Sequence, residues 1–410
     1  MKECIILAGG LGTRLNHLIP GLPKSLAPVA GKPFLKFLLD YLQLQRTDHF
    51  IFSLGYLHHQ IIEFLNTEAG HLHKTYIIEE KPLGTGGAIM NAMSALKSDQ
   101  FFVVNADTFY PVDLHHILNF HIQNNADITL ALKPMLQPYR YGTVAITANG
   151  RIQNFEEKKS CEFGLINGGV YCINRRFLKN IKVETYFSFE KVVLEAMFEN
   201  ARFFGYLQDQ FFIDIGVPED YHYANNNFGQ TELFLRHRAL FLDRDGVINR
   251  LIPGDYVRKW DDFVFQEGCL EILPRIAPYF DFLFIITNQQ CIGKGLISID
   301  QLSGIHQNML KQLEAAGIKI EKIFYCPHLV SENCNCRKPK PGMLDEIRRQ
   351  YPSVDFISSL MIGDSVADIT MAASRYVPSI LLNSAEPDLP LPFRKAKSWG
   401  QIEQLIISDH

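Results

Sequence analysis

The sequence predicts an α/β protein of two domains, each built on an open sheet. Three observations predict it. Short apolar runs that read as buried strands alternate with stretches carrying a helical apolar stripe. The runs end abruptly in glycines, aspartates or a Thr-Asn pair, as strands do where an open sheet turns its chain into a crevice. The two halves end their strands in different chemistries, and a polar, asparagine-rich stretch at 217–238 separates them. At 410 residues there is chain enough for two such bodies.

Composition narrows the function classes. Apolar residues make up 47% and charged residues 20%, an ordinary globular balance. A net charge of −4 offers no basic stripe for nucleic acid or an anionic membrane surface. No apolar run approaches the roughly 18 residues of a membrane span. Gly9 and Gly10 break the first apolar run, which argues against a secretory leader and for a strand entering a glycine turn. Five of the eight cysteines are scattered, so free thiols in a cytoplasmic protein are expected.

Residues 4–8 read as a strand running straight into Gly9-Gly10-Leu11-Gly12-Thr13-Arg14. Glycines let backbone amides close on a polyphosphate, and Arg14 adds a forked set of donors. The spacing is neither Gly-x-Gly-x-x-Gly nor Gly-x-x-x-x-Gly-Lys-Ser/Thr, so the turn alone is weak evidence. Leu22-Pro23-Lys24-Ser25 strengthens it, because the prolines on either side hold Lys24 in an extended loop where it can meet the same phosphates. A helix is expected over 34–44, a strand over 50–54, a helix over 60–65 and a strand over 76–78. A second glycine turn, Gly84-Thr85-Gly86-Gly87, opens a helix through Ala95, and its small residues would let a flat base or sugar lie on the main chain. The strand at 101–104 ends in Asn105-Ala106-Asp107, where the aspartate suits a Mg²⁺ ligand or, alternatively, a turn cap.

Over about residues 1–230 this pattern resembles the sugar-phosphate nucleotidyltransferases, whose fold is Rossmann-like of the glycosyltransferase-A kind. Arg140-Tyr141-Gly142, Phe155-Glu156-Glu157-Lys158, Leu165 to Tyr171 and Phe211 to Gly216 continue the match in order. The resemblance implies that Ala8, Gly9, Gly10, Gly12, Thr13 and Arg14 bind the nucleotide, with Arg14 and Lys24 acting on its phosphates. Gly86 and Gly87 would lie near base or sugar, Asp107 and Asp214 would hold Mg²⁺, and Glu157, Lys158 and Asn167 would bind the sugar phosphate. Ala106 stands where glycine is common. Within the family, the wording around Leu22 to Pro33, Pro82 to Ile89 and Leu165 to Tyr171 looks most like the heptose 1-phosphate guanylyltransferases. The implied reaction is in-line displacement at the α-phosphorus of GTP, with pyrophosphate leaving. The attacking phosphate oxygen is already ionised, so positioning and charge neutralisation carry the catalysis.

The second half opens with the apolar run 239–242, broken by Asp243-Arg244-Asp245-Gly246. Two carboxylates one residue apart at a strand end can share nucleophilic and acid/base work beside a divalent metal. Gly268 to Leu273 reads as a helix, Phe282 to Ile286 as a strand ending in Thr287-Asn288, Ser298 to Ala315 as a helix and Lys322 to Tyr325 as a strand. Cys326, His328, Cys334 and Cys336 follow within eleven positions, a Cys₃His set that suits a closed structural Zn²⁺ site, with free thiols as the alternative. Such a metal would pin the loop carrying Arg337 and Lys338. The strand at 359–362 ends in Gly363-Asp364-Ser365, giving a third carboxylate for Mg²⁺.

Taken in order, the four strand ends resemble the haloacid-dehalogenase-like phosphatases, also Rossmann-like, over about residues 238–385. The zinc loop is similar to that of the heptose-bisphosphate and histidinol-phosphate group. The resemblance implies that Asp243 attacks phosphorus, Asp245 protonates the leaving oxygen and then activates water, and Thr287, Asn288 and Lys338 bind the phosphoryl group. Arg337 would meet the rest of the substrate, and Asp243, the Asp245 carbonyl and Asp364 would hold Mg²⁺. Val247, Gln290-Cys291 and Ser365 depart from the usual wording. The domains are expected at 1–230 and 239–410, joined by a linker at 231–238. The combined expectation is a bifunctional enzyme acting on small molecules, heptose phosphates and GTP, in the making of bacterial surface polysaccharide. The same chemistries on histidinol phosphate or another sugar phosphate, with another nucleotide, form the alternative. A non-catalytic sugar-nucleotide sensor is a third reading, and every charged position named above argues against it.

Overall fold

The computed structural model describes residues 1–10, 12, 14–156, 161–229, 234–382 and 392–408. Thr13, Glu157 and Lys158, each expected at a binding site, lie outside the described residues. The chain divides into two compact units, Met1–Phe234 and Leu235–His410. Of the expected linker, Phe234 belongs to the first unit through ring contacts with Phe109, Phe211 and Phe228. His237 belongs to the second, where its backbone pairs with Ser353 and Asp355.

The first unit carries a nine-stranded sheet. Its strands are β1 (Glu3–Ala8), β2 (His49–Leu54), β3 (Lys74–Ile78), β4 (Gln100–Asn105), β5 (Ile128–Leu136), β6 (Thr143–Ile146), β7 (Ile152–Glu156), β8 (Phe163–Asn174) and β9 (Phe203–Leu207). They run in the order β7-β6-β8-β4-β1-β2-β3, with β5 bridging β8 and β9. The parallel part, β4-β1-β2-β3, sets the ends of β4 and β1 side by side. Helices α1 (Phe34–Leu44), α2 (His58–Thr67), α3 (Gly84–Ala92), α4 (Leu114–Gln123), α5 (Arg175–Asn180) and α6 (Pro218–Asn227) accompany it. The α1 stripe Phe34, Leu35, Leu38, Leu39 and Leu42 is buried, and each side chain contributes about 1.5–3 kcal/mol of burial.

Helix α6 corrects the expectation that the polar stretch 217–238 separates the two domains, since Pro218–Asn227 is a regular helix of the first unit. Asparagines make it polar, yet Pro218 in the first turn with Glu219 and Asp220 behind it is a helix start, and Tyr221 and Ala224 bury one side.

The second unit holds a six-stranded, fully parallel sheet: β10 (Ala239–Leu242), β11 (Phe282–Asn288), β12 (Lys322–Cys326), β13 (Leu360–Gly363), β14 (Ser379–Leu382) and β15 (Arg394–Ala396). The order is β12-β11-β10-β13-β14-β15, so β10 lies between the two strands whose ends carry Thr287 and Asp364. Helices α7 (Cys269–Ile276), α8 (Ile299–Ala315), α9 (Gly342–Gln350), α10 (Val366–Ala373) and α11 (Trp399–Ile407) pack on it. A sheet covered on both faces needs strands apolar on both, and Ala239-Leu240-Phe241-Leu242 is buried throughout. Two core clusters follow, one around Leu240 and Leu242 and one around Ala239 and Phe241, as alternation requires.

Two candidate active sites and a candidate metal centre

In the first unit the ends of β1 and β4 open into a cleft of about 190 Å³ lined by Ala8, Gly10, Gly12, Arg14, Lys24, Ala106, Asp107 and Gly216, among others. Most of the expected nucleotide and metal residues therefore meet. Asp214 joins them from a short ribbon in which Ile213–Asp214 pairs with Thr108–Phe109. Lys24 does not reach outward. Its Nζ donates to Asp107 Oδ2 at 2.6 Å and lies 3.5 Å from Asp214 Oδ1. Burial, reinforced by the Asp107 charge, pushes the Asp214 carboxyl above its ordinary range. Two carboxylates sharing one ammonium form an oxygen-rich, acceptor-only pair, a donor set that fits a hard divalent cation. Ala106 stands outside the left-handed backbone region, so its departure from glycine carries no strain.

Two expected contacts look different. A Cβ at Gly86 would lie 2.0 Å from the Phe187 ring, and one at Gly87 2.2 Å from the Thr185 carbonyl oxygen. Their bare faces are thus covered by the chain itself, and close packing of 185–187 already requires glycine there. Asn167 donates from Nδ2 to the Tyr171 hydroxyl at 2.9 Å and accepts from the Gly169 amide. It sits at the register shift of β8 between Asn167 and Tyr171.

In the second unit the expected groups converge at the ends of β10, β11 and β13. Lys338 is 5% exposed. Its Nζ donates at 2.6 Å to both Asp243 and Asp368, and at 3.0 Å to the Ile286 carbonyl. Burial opposes its charge, but the two carboxylates hold it protonated. One cation cannot balance Asp243, Asp364 and Asp368, whose oxygens lie within 4.8 Å of one another. The surplus appears as raised proton affinity. Burial, helped by Asp368, pushes Asp364 up to about 6, and Asp243 goes well above its usual range mainly through burial. This crowded carboxylate set fits a divalent cation. Gly246, at φ +96°, is required here, since a Cβ would fall 2.0 Å from Asp364 Oδ2.

Asp245 turns its carboxylate the other way. Oδ1 accepts from Arg244 Nη2 at 2.9 Å and Asn249 Nδ2 at 3.0 Å, and Oδ2 from Gln289 Nε2 at 2.8 Å. Burial alone would raise its pKa, but the Arg244 charge and these donors bring it below the usual carboxylate value. Asn288 pairs reciprocally with the Lys338 backbone, accepting from its N–H at 3.1 Å and donating to its carbonyl at 3.3 Å. In this state it fixes the lysine. Thr287 is buried and accepts from Gln289. Arg337 keeps a buried Nη1 without a hydrogen-bond partner among the described residues.

Sequence reasoning gave no role to Asp368, Arg244, Asn249 or Gln289. Asp368 carried a readable signal: three residues after Ser365 it completes a capping box, with Ser365 Oγ donating to Oδ2 at 2.6 Å. The departures also find places. Val247 is fully buried, and the Cys291 thiol faces Gln289 Oε1 at 3.6 Å.

Cys326, His328, Cys334 and Cys336 bring one ligand atom each within 4.8 Å of the others. Neighbouring atoms are 3.2–3.6 Å apart. A tetrahedron with metal–sulfur bonds of about 2.3 Å has edges of about 3.8 Å, so the group is already close to a cage that can hold a metal ion. Lys338 follows two residues later on the same loop.

These folds and sites define a nucleotidyltransferase joined to a phosphatase of the haloacid-dehalogenase kind. The Nucleotidyl transferase family pattern matches residues 3–231, and a HAD-hydrolase-like pattern matches 335–386. The chain is 43% identical over 222 residues to a D-glycero-alpha-D-manno-heptose 1-phosphate guanylyltransferase of Aneurinibacillus thermoaerophilus, covering 54% of this chain and 96% of the relative. It is 37% identical over 168 residues to a D-glycero-alpha-D-manno-heptose-1,7-bisphosphate 7-phosphatase of Campylobacter jejuni, covering 41% of this chain and 95% of the relative. The crystal structure of HddC from Yersinia pseudotuberculosis complexed with GMP-PN matches with a TM-score of 0.51 and 33% identity, over 56% of this chain and all of that one. The chain belongs to the nucleotidyl transferase family through its first unit, and to the HAD-like heptose-bisphosphate phosphatases through its second.

Proposed function

We propose that the second unit removes the 7-phosphate of D-glycero-α-D-manno-heptose 1,7-bisphosphate and that the first transfers GMP from GTP to the resulting 1-phosphate, giving GDP-heptose and pyrophosphate. One observation carries this reading. Each unit matches one relative nearly end to end, and removing the 7-phosphate from the bisphosphate in one relative's name leaves the 1-phosphate in the other's. The GMP-PN complex of the Yersinia protein supports a guanine nucleotide in the first cleft. No described helix is long and apolar enough to cross a membrane, and we place the reactions in the cytoplasm with small molecules alone as partners.

In the phosphatase, Asp243 is the nucleophile and Asp245 the acid/base. Lys338 screens the phosphoryl charge that would otherwise repel a carboxylate. Asp243, Asp364 and the Asp245 carbonyl would hold Mg²⁺, which supplies further charge neutralisation when bound. In the transferase, glycine amides of the first turn, Arg14 and Lys24 orient the triphosphate, and Asp107 and Asp214 would hold Mg²⁺. Glu157, Lys158 and Asn167 bind the sugar phosphate, and Gly86 and Gly87 let 185–187 pack closely against the start of α3. Lys24 then exchanges its carboxylate partners for phosphate oxygens. The Cys₃His group would hold Zn²⁺, which would fix the Lys338 loop.

Mass spectrometry of one incubation with the bisphosphate, GTP and Mg²⁺ tests the whole. GDP-heptose with both phosphate and pyrophosphate is expected, and phosphate without GDP-heptose would overturn the transferase assignment. Asp107→Asn should lower GDP-heptose formation from supplied 1-phosphate by roughly 10²–10³-fold and leave phosphate release within twofold. Stripping Zn²⁺ with a thiophilic chelator, then assaying in excess Mg²⁺, should abolish phosphate release and spare transfer. Restoring Zn²⁺ at about one ion per chain should recover it.

A further inference from the structure

Arg244 is a wholly buried guanidinium. A charge so placed must be neutralised and its donors satisfied. Asp245 supplies the counter-charge through Nη2 at 2.9 Å. On the other nitrogen, Nη1 lies 3.2 Å from Nε2 of His306, a side chain 7% exposed on α8. Arginine offers donors and no acceptor, so this contact is a hydrogen bond only when Nε2 carries its lone pair and the ring proton sits on Nδ1. The imidazole also packs against the Tyr325 ring, with centroids 6.0 Å apart and planes at 68°. We infer that His306 is a positioning residue for the phosphatase. As a neutral acceptor it takes Arg244 Nη1 and so aims Nη2 at the Asp245 carboxylate.

The geometry makes this more than core filling. Arg244 Nε has no partner among the described residues, so Nη1 and Nη2 are where the guanidinium is anchored. Without an acceptor at 306, the Nη1 anchor is lost and the fork can rotate about its long stem. Asp245 would then be directed by Asn249 and Gln289 alone. Burial, with the Arg244 charge behind it, pushes the His306 ring down to about 4, which agrees with a neutral acceptor. This inference rests on Asp245 being the acid/base of the proposed reaction.

His306→Phe keeps a packed ring but cannot accept, whereas His306→Gln can accept through Oε1. In the full-length, zinc-loaded protein, His306→Phe should lower kcat for phosphate release roughly tenfold with KM within twofold. His306→Gln should return kcat to within about threefold of the parent, and nucleotidyl transfer should be unchanged in both. Loss of kcat in both variants alike would overturn the inference, as would full activity in His306→Phe. Nitrogen-15 NMR of the unsubstituted protein gives a reading independent of activity and of folding in the variants. The signals absent from His306→Gln, or the ring assigned through its neighbours, should show Nδ1 protonated and Nε2 bare. A proton on Nε2 would overturn the inference even if the kinetics agreed. Asp245→Asn tests the underlying reading separately, since activity surviving there would remove the acid/base assignment without touching the His306–Arg244 contact.

Discussion

Asp243→Asn should cut phosphate release from the heptose bisphosphate by roughly 10⁴-fold or more, the scale expected when a covalent nucleophile is lost. GDP-heptose formation from supplied heptose 1-phosphate should stay within twofold. The substitution is also expected to be nearly silent in a thermal melt. Asp243 is buried among Asp364 and Asp368, and burial already favours its neutral form. A neutral amide relieves that crowding, while Lys338 keeps Asp368 as its partner. Phosphate release and melting measured on the same preparation separate the two effects. Substantial residual turnover would remove Asp243 from the nucleophile's place, and loss of both reactions in a folded protein would end the assignment of independent sites.

Lys338→Met should act on fold and chemistry together. The lysine lies between Asp243 and Asp368 and is the ammonium bonded to them. Deleting one partner of a buried charge set costs about 3–5 kcal/mol, because the remaining anions are left in a low-dielectric site. For a unit of this size that corresponds to a fall of roughly 10 °C in the midpoint of the second unit's transition. Phosphate release should vanish. Adding Asp368→Asn should recover part of the stability by removing one stranded anion, yet no activity. No recovery of stability in the double variant would show that Lys338 is needed for packing rather than for charge balance.

Asp243 and Lys338 are legible in the amino-acid sequence, and the reason is physical. Groups at the ends of parallel strands are marked in sequence by an apolar run that stops, and β1, β4, β10, β11 and β13 all stop that way. The helix at 34–44 is visible because one stripe is apolar and the other polar. The antiparallel half of the first sheet is not, beyond its motifs. Strand β8 breaks its alternation at the register shift near Gly168 and Gly169, and β5 contains a proline, so period-two reading fails there. The partners of Asp245 are hidden for another reason. Arg244, Asn249 and Gln289 come from two separate segments, and only the folded hydrogen-bond geometry shows that they serve one carboxylate. Lys24 illustrates a third limit. Its place in the cleft is legible, but its pairing with Asp107 depends on how the turn at Lys24–Leu26 folds back onto the end of β4.

Among the described residues each unit completes its own core and gathers its own charged groups. What the join settles is dosage. Every translated molecule carries one phosphatase and one transferase, and no change in promoter strength or message stability can alter that ratio. Only the turnover numbers of the two sites remain free to balance supply of the 1-phosphate against demand. Selection on flux in such a chain therefore falls on individual side chains at the two strand-end clusters.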